Sequence, residues 1–231
     1  MNNNIKFYLF GGNSKIGNAI LNGLIVKYKN HPVDIISIIR NSKGHIPKGK
    51  IVLVNNYLEG LNHIDQKDKK SKNIFILSFG VLKSESKEVS YSENLKFHLE
   101  INTFQILEIF KSIIKKKEFT EIHIVSSILA DFIRPSISSY CLSKNLLDVF
   151  IYEQLNKTSR KKIYIWKPAF VDSDLNKNRK PTFLKTSSDE IEKYISKKYE
   201  GGTYYIPFYS RYLTILAKKL NFFVRIIDKR Y

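Results

Sequence analysis

The opening of the chain constrains its fold most. Residues 5–10, IKFYLF, form a short apolar run rich in β-formers, and GGNSKIG follows at once at 11–17. Ile16, Ala19, Ile20, Leu24 and Ile25 then recur at helical spacing over 14–29. The run reads as a buried strand, the glycines as a turn, and the rest as an amphipathic helix. A strand, a glycine turn and a helix in that order are what a bound dinucleotide needs. The turn must lack side-chain bulk, and the pyrophosphate rests on free N–H groups at the helix start. A glycine pair also serves any tight turn, so its position at the first strand–helix junction gives it its value.

The same alternation continues downstream. DIISII (34–39), IVLV (51–54), NIFILS (73–78), EIHIVS (121–126) and IYIW (163–166) read as strands. Helical stretches are expected over 92–116 and 139–155. Mostly continuous apolar strands separated by helices imply a parallel sheet covered on both faces. The expected class is α/β, a Rossmann-type doubly wound parallel sheet. One domain is expected over 1–203, with a polar substrate loop at 173–188 that follows the last strand and contains Pro181. The run KDKKSK at 67–72 reads as a solvated turn, and residues 204–231 as a basic amphipathic tail of the same domain.

Length and composition narrow the class. The chain has 231 residues, enough for a large single core, and 43% of them are hydrophobic. Its one cysteine, Cys141, allows neither an internal disulfide nor a cysteine-based metal site. Met-Asn-Asn-Asn carries no basic leader, and the apolar run after it is short. The expected setting is the cytoplasm, with a peripheral position on the inner face of a membrane as an extension. The five histidines, His31, His45, His63, His98 and His123, show no metal-ligand spacing, so no metal is expected. Net charge is +18. Such a field attracts phosphates, nucleic acid or anionic lipid, while lysine is also the default solubilising cation. No recognised nucleic-acid module is present, so no specific nucleic-acid partner is expected.

Two groups of residues carry candidate chemistry. The second strand ends Ile38-Ile39-Arg40-Asn41-Ser42, without the acid that would hold a ribose 2′-hydroxyl. Arg40 offers a fork for a 2′-phosphate, with Lys15 nearby, which favours NADP(H) over NAD(H). Tyr140 and Lys144 stand four apart, on one face of the expected helix. A tyrosine titrates near 10, and a neighbouring ammonium favours its phenolate. Such a pair can pass a proton to a carbonyl or take one from an alcohol. Ser127, thirteen residues before Tyr140 and just past the fifth strand, can hold the same oxygen. Cys141 reads as core.

Together these motifs resemble the short-chain dehydrogenase/reductase family. The family loop is TGxxxGxG. Gly11 and Gly17 match its outer glycines, while Phe10 and Lys15 stand at the Thr and the middle Gly. The GGxSxIG form is similar to a branch that includes the reductase partner of decaprenylphosphoryl-ribose epimerisation. The resemblance implies a catalytic set of Asn102, Ser127, Tyr140 and Lys144; Ile128 after Ser127 favours that serine over Ser126. It implies cofactor contacts at Gly11, Asn13, Ser14, Lys15, Ile16, Gly17, Arg40, Gly80, Tyr140, Lys144, Val171 and Ser173. Gly80 matches the glycine after the fourth strand. Residues 168–174, PAFVDSD, match the PGxxxT segment, with Ala169 at the glycine and Ser173 at the threonine.

The tail interleaves aromatics and aliphatics with Arg211, Lys218, Lys219, Arg225, Lys229 and Arg230, and Leu213, Leu216, Leu220 and Phe223 fall near helical spacing. Such a segment suits an anionic membrane interface or a helix packed on the domain. The branch resemblance favours the membrane and implies a lipid-linked or nucleotide-linked sugar as substrate. Rival readings are a soluble reductase of a small ketone or 3-oxoacyl substrate and a non-catalytic NADP-sensing protein. The family implies a homodimer or homotetramer, with the helices near 92–116 and 139–155 as contact faces.

Overall fold

The structure is a computed structural model. It describes residues 4–65, 71–86, 88–115, 119–157, 162–173, 176, 185–197 and 200–219. Side chains of the first strand divide between two cores. Ile5, Phe7 and Leu9 face one way, Tyr8 and Phe10 the other, and all five are buried. That period of two, apolar on both faces, forces a layer of helices onto each side of the sheet.

Chain order gives strands β1 (Ile5–Phe10), β2 (Val33–Ile39), β3 (Lys50–Leu53), β4 (Lys72–Leu77), β5 (Phe119–Val125), β6 (Ile163–Pro168), the short β7 (Phe170–Val171) and β8 (Lys185–Thr186), and β9 (Gly202–Ile206). The helices are α1 (Lys15–Lys27), α2 (Tyr91–Leu99), α3 (Gln105–Ile114), α4 (Ser138–Lys157), α5 (Ser188–Ile195) and α6 (Ser210–Lys219). The main sheet has seven strands in the order β3-β2-β1-β4-β5-β6-β9, and each neighbouring pair is parallel. β7 and β8 pair separately.

Tyr8, Phe10, Phe75, Leu77, Ile122, Ile124, Ile163 and Ile165 pack under Ile106, Ile109, Phe110 and Ile113 of α3 and Leu147 and Ile151 of α4. On the opposite face Phe7, Leu9, Ile74, Ile76 and Trp166 meet Ile20, Leu21 and Leu24 of α1 and Ile191 and Ile195 of α5. Strand order reverses between β1 and β4. In open parallel sheets the crevice beyond the carboxyl ends at such a point is where ligands bind.

Three elements differ from the sequence expectation. The helix expected over 92–116 is α2 and α3 joined by a π-helical turn, Glu100–Phe104. The extra residue of such a turn leaves the composition unchanged, so helical periodicity does not register it. β9 lies across residues 203 and 204, where the tail was expected to start. Its run of Thr203, Tyr204, Tyr205 and Ile206 merges into the aromatic pattern of the tail. The substrate loop expected at 173–188 has ordered structure at its end, in β8 and the start of α5. Residues 174, 175 and 177–184 lie outside the described residues, as do 67–70 of the charged turn and 220–231 of the tail.

Candidate active site

The glycine turn closes on the switch point. Gly11 has φ +87°, and a Cβ there would stand 2.8 Å from the Ser78 carbonyl oxygen, so β4 approaches it backbone to backbone. A Cβ on Gly12 would meet Ser37 at 2.7 Å, and one on Gly17 would meet Ser78 Cβ at 2.8 Å. The glycines therefore let the start of α1 lie against the ends of β2 and β4. Ser14 N-caps α1: its Oγ accepts from Gly17 N–H at 3.1 Å and pairs with Ser78 Oγ at 2.8 Å. Asn18 Nδ2 donates to the Gly12 and Ser14 carbonyls at 2.7 and 2.9 Å. With the Ser14 N–H given to Gly11, the first-turn N–H groups of Lys15 and Ile16 have no acceptor within the helix. They are an anion cradle at the positive end of a helix dipole. Lys15 is exposed beside it.

Asn13 fastens the loop after β2. Its amide donates to the Asn41 and Lys43 carbonyls, and its own carbonyl accepts from His45 N–H. Arg40, at the end of β2, lies over the Tyr57 ring at 5.0 Å, and Tyr57 stacks on Phe79 at 3.9 Å. Arg40 Nε is buried and makes no hydrogen bond. The Tyr57 ring therefore carries the guanidinium at the end of β2.

The second half of the site gathers around Gly80. A Cβ there would lie 2.9 Å from Asn102 Oδ1 and 3.7 Å from Lys144 Nζ. Asn102, fully buried in the π turn, accepts from Val81 N–H at 2.8 Å and donates to the Val81 carbonyl at 2.9 Å and to Ser143 Oγ at 3.1 Å. Ser143 Oγ donates to the Tyr140 carbonyl, and Thr103 Oγ1 donates to the Ser143 carbonyl, each at 2.7 Å. The π turn and α4 are thereby locked together. Lys144 Nζ, buried, donates to the Val125 carbonyl at 3.1 Å, at the end of β5. Burial pushes its ammonium down to about 8, against the opposing charge of Asp148.

Ser127 follows β5 and N-caps a short 3₁₀ turn, Ile128–Ala130, its Oγ accepting from Leu129 N–H at 3.1 Å. Asn145 Nδ2 donates to the Ala130 carbonyl at 2.8 Å and ties that turn to α4. Tyr140 is buried with Ile137 and Cys141, beside Leu82 and Leu129. Cys141 is the core residue expected.

Several supports had no sequence signal of their own. His98 faces Tyr140 edge-on at 6.2 Å. Its Nε2 accepts from Lys83 N–H, so its Nδ1 carries the proton given to the Asn94 carbonyl, and burial keeps the ring neutral. Glu85 accepts from Ser139 N–H at 2.8 Å and Asn94 Nδ2 at 2.7 Å. Burial would raise its carboxyl, but these bonds and that from Ser138 hold it below the usual range at the start of α4. Val171 is buried in β7, and Ser173 Oγ is buried without a hydrogen-bond partner. Among the described residues no helix is long and apolar enough to cross a membrane.

No family model matches the sequence, and no curated protein matches it. Solved structures do. A short-chain dehydrogenase from Burkholderia cenocepacia in complex with NADP superposes with a TM-score of 0.68 at 17% identity, over 88% of this chain and 89% of that one. The aldohexose dehydrogenase of Thermoplasma acidophilum, ligand-free, gives 0.67 at 14% identity, over 88% and 92%. A 3-oxoacyl-[acyl-carrier protein] reductase from Brucella melitensis, with NAD, gives 0.60 at 15%, over 83% and 88%. The chain has the fold of the short-chain dehydrogenases/reductases. In that fold the glycine turn and the Gly80 cluster lie at the same carboxyl end of the sheet, at the ends of β1, β4 and β5.

The residues fit a dinucleotide. The α1 cradle suits a pyrophosphate, Gly80 lets the chain after β4 lie close against Asn102 beside Lys144, and Ser173 Oγ is an orphaned donor.

Proposed function

We propose that this protein is an NADP(H)-dependent oxidoreductase that moves hydride to or from a carbonyl or secondary alcohol, with Tyr140 as acid and base. The observation that carries this reading is the convergence of Asn102 and Lys144 on Gly80, one strand from the anion cradle of α1. The nucleotide, when bound, supplies or accepts the hydride. Lys15 and Ile16 N–H groups, Ser14 and Ser173 would hold its pyrophosphate, Val171 its carboxamide side, and Gly80 would admit its ribose. Arg40 and Lys15 favour the 2′-phosphate of NADP(H).

The chain's own groups do the proton work. Ser127 and Tyr140 hold the substrate oxygen. Tyr140 donates a proton to it in reduction and takes one in oxidation. Lys144 stabilises the phenolate while it is an ammonium. Asn102 fixes the Val81 backbone and, through Ser143, the first turn of α4.

The test is a fluorescence titration with NADPH and NADH of the wild type and of Arg40→Ala. The expected result is tighter NADPH binding that weakens selectively in the variant. Failure to bind either nucleotide would overturn the reading.

A lipid-linked or nucleotide-linked sugar is the substrate class favoured, and the observation behind it is α6. Its buried residues are Ser210 and Thr214, while Tyr212 (68% exposed), Ile215 and Leu216 point outward beside Arg211, Lys218 and Lys219. An apolar face turned to solvent among cations suits a peripheral position on anionic lipid. Turnover of small soluble ketones or 3-oxoacyl compounds without vesicle binding would favour the soluble alternative.

A further inference from the structure

Behind the proposed catalytic pair lies a charge cluster that the mechanism above does not use. Lys167, the residue before Pro168 in β6, is 1% exposed. Its Nζ stands 2.7 Å from Asp148 Oδ2 and 2.8 Å from Asp131 Oδ1. Asp148 lies one helical turn beyond Lys144 on α4, so the series 140, 144, 148 runs down one face. Asp131 closes the 3₁₀ turn that Ser127 opens. Tyr205 of β9 donates its hydroxyl to Asp131 Oδ2 at 2.8 Å.

We propose that Lys167 is a positioning residue for this site: it joins the Ser127 turn to the Tyr140–Lys144 helix through Asp131 and Asp148, and it holds the Asp148 carboxyl one helical turn from Lys144. The proposal rests on Tyr140 and Lys144 being the acid–base pair.

The electrostatics follow from burial. A carboxylate and two ammonium groups out of water are each costly alone and stabilise one another in alternation. Burial raises the Asp148 carboxyl, and Lys167 opposes that rise. Burial would lower Lys167, yet Asp148 and Asp131 hold its ammonium above the ordinary lysine range. Lys144 has Asp148 as its opposing charge. The other groups around the cluster are Tyr152 on α4, Ser126 after β5, Tyr205 on β9, and Lys218 on α6, the last 3.8 Å from Asp131 and exposed. Without Lys167, nothing from that lysine opposes the rise that burial imposes on the Asp148 carboxyl. Asp148 is then a weaker counter-charge for Lys144, which becomes a neutral amine at lower pH.

The test reads Lys144 directly. Full-length protein labelled with ε-¹³C lysine is titrated by NMR, with the Lys144 resonance assigned from Lys144→Met. In Asp148→Asn, an isosteric change that leaves Lys167 its bond to Asp131, the Lys144 midpoint is expected to fall by about one pH unit. Lys167→Met should lower it in the same direction, and Lys167→Arg should keep the wild-type value. An unmoved midpoint in Asp148→Asn overturns the proposal, whether or not Lys167→Met folds. NADPH titration of the same wild-type sample separates the two readings: loss of nucleotide binding overturns the reductase assignment and leaves the lysine midpoint as measured.

Discussion

Tyr140 is the residue on which the proposed chemistry turns. Tyr140→Phe removes only the hydroxyl, so the buried ring stays beside Leu82 and Leu129. Turnover is expected to fall by about 10²–10⁴-fold, as for loss of a general acid–base group, with NADPH affinity retained. Steady-state kinetics and a nucleotide titration on one preparation check both halves. Gly17 is a second test at this scale. In Gly17→Ala the new Cβ would meet Ser78 Cβ at 2.8 Å and Leu9 Cδ1 at 3.0 Å. The first turn of α1 must move off β4, costing about 1–3 kcal/mol and weakening nucleotide binding. Adding Ser78→Gly removes the Ser78 atoms in the way and leaves the Leu9 Cδ1 contact, so the double variant should regain part of both, read by urea unfolding and NADPH titration. Gly11, Gly17, Tyr140 and Lys144 were legible because turn chemistry and helical spacing are local. Ser78, Tyr57, His98 and Lys167 were not. Each matters through a partner 15 to 64 residues away, and nothing near it in sequence marks that partner.

At the level of elements, legibility followed burial. The interior strands were readable as apolar runs because helices cover both faces of the sheet. β9 was not: its first four residues are half-buried, its aromatics merge with those of the tail, and among the described residues it pairs only with β6. The π turn was hidden by its ordinary helical composition, although it carries Asn102. β5 itself supports a stability prediction. Trp166 Nε1 can only donate, and it does so to His123 Nδ1 at 3.0 Å. His123 is therefore the neutral tautomer with its proton on Nε2, facing Glu121 Oε2 at 3.2 Å. Burial would raise Glu121, but His123, Lys27 and the Tyr28 hydroxyl hold it down at about 2, from an ordinary 4.5. A depressed carboxyl contributes stability that is fully present above its unfolded pKa and lost as pH falls through its folded one. The window here is below pH 4.5, and the loss is on the order of 2 kcal/mol. Urea midpoints at pH 6 and pH 3 should differ less in Glu121→Gln than in wild type. An equal difference would remove Glu121 from the acid response.

Among the described residues, two of the exposed apolar surfaces each predict an association. Val149 (56% exposed), Phe150 and Tyr152 on α4 and Phe104 at the start of α3 are uncovered. Buried against a second copy, they would form the contact face expected of a homodimer or homotetramer. Light scattering should give a mass above the 27.0 kDa of one chain, and Val149→Asp with Phe150→Asp should return it to that mass. The second surface is α6 with Phe208 and Tyr209 before it. Ser210 and Thr214 face the domain, so its aromatic and aliphatic side chains are turned outward. Between Gly201 and Lys219 there is no acid, and the chain carries +18 overall. Apolar contact and lipid phosphate attraction then act on the same face. Sedimentation with vesicles of mixed phosphatidylglycerol and phosphatidylcholine should retain the protein, and pure phosphatidylcholine should retain much less. High salt should release it, because the cations on this helix are exposed and screened by ions. Tyr212→Ser with Leu216→Ser should weaken retention about tenfold or more and leave NADPH binding unchanged. Equal retention by neutral and anionic vesicles, or by wild type and variant, would remove the membrane from the account of this helix and with it the support for a lipid-linked substrate.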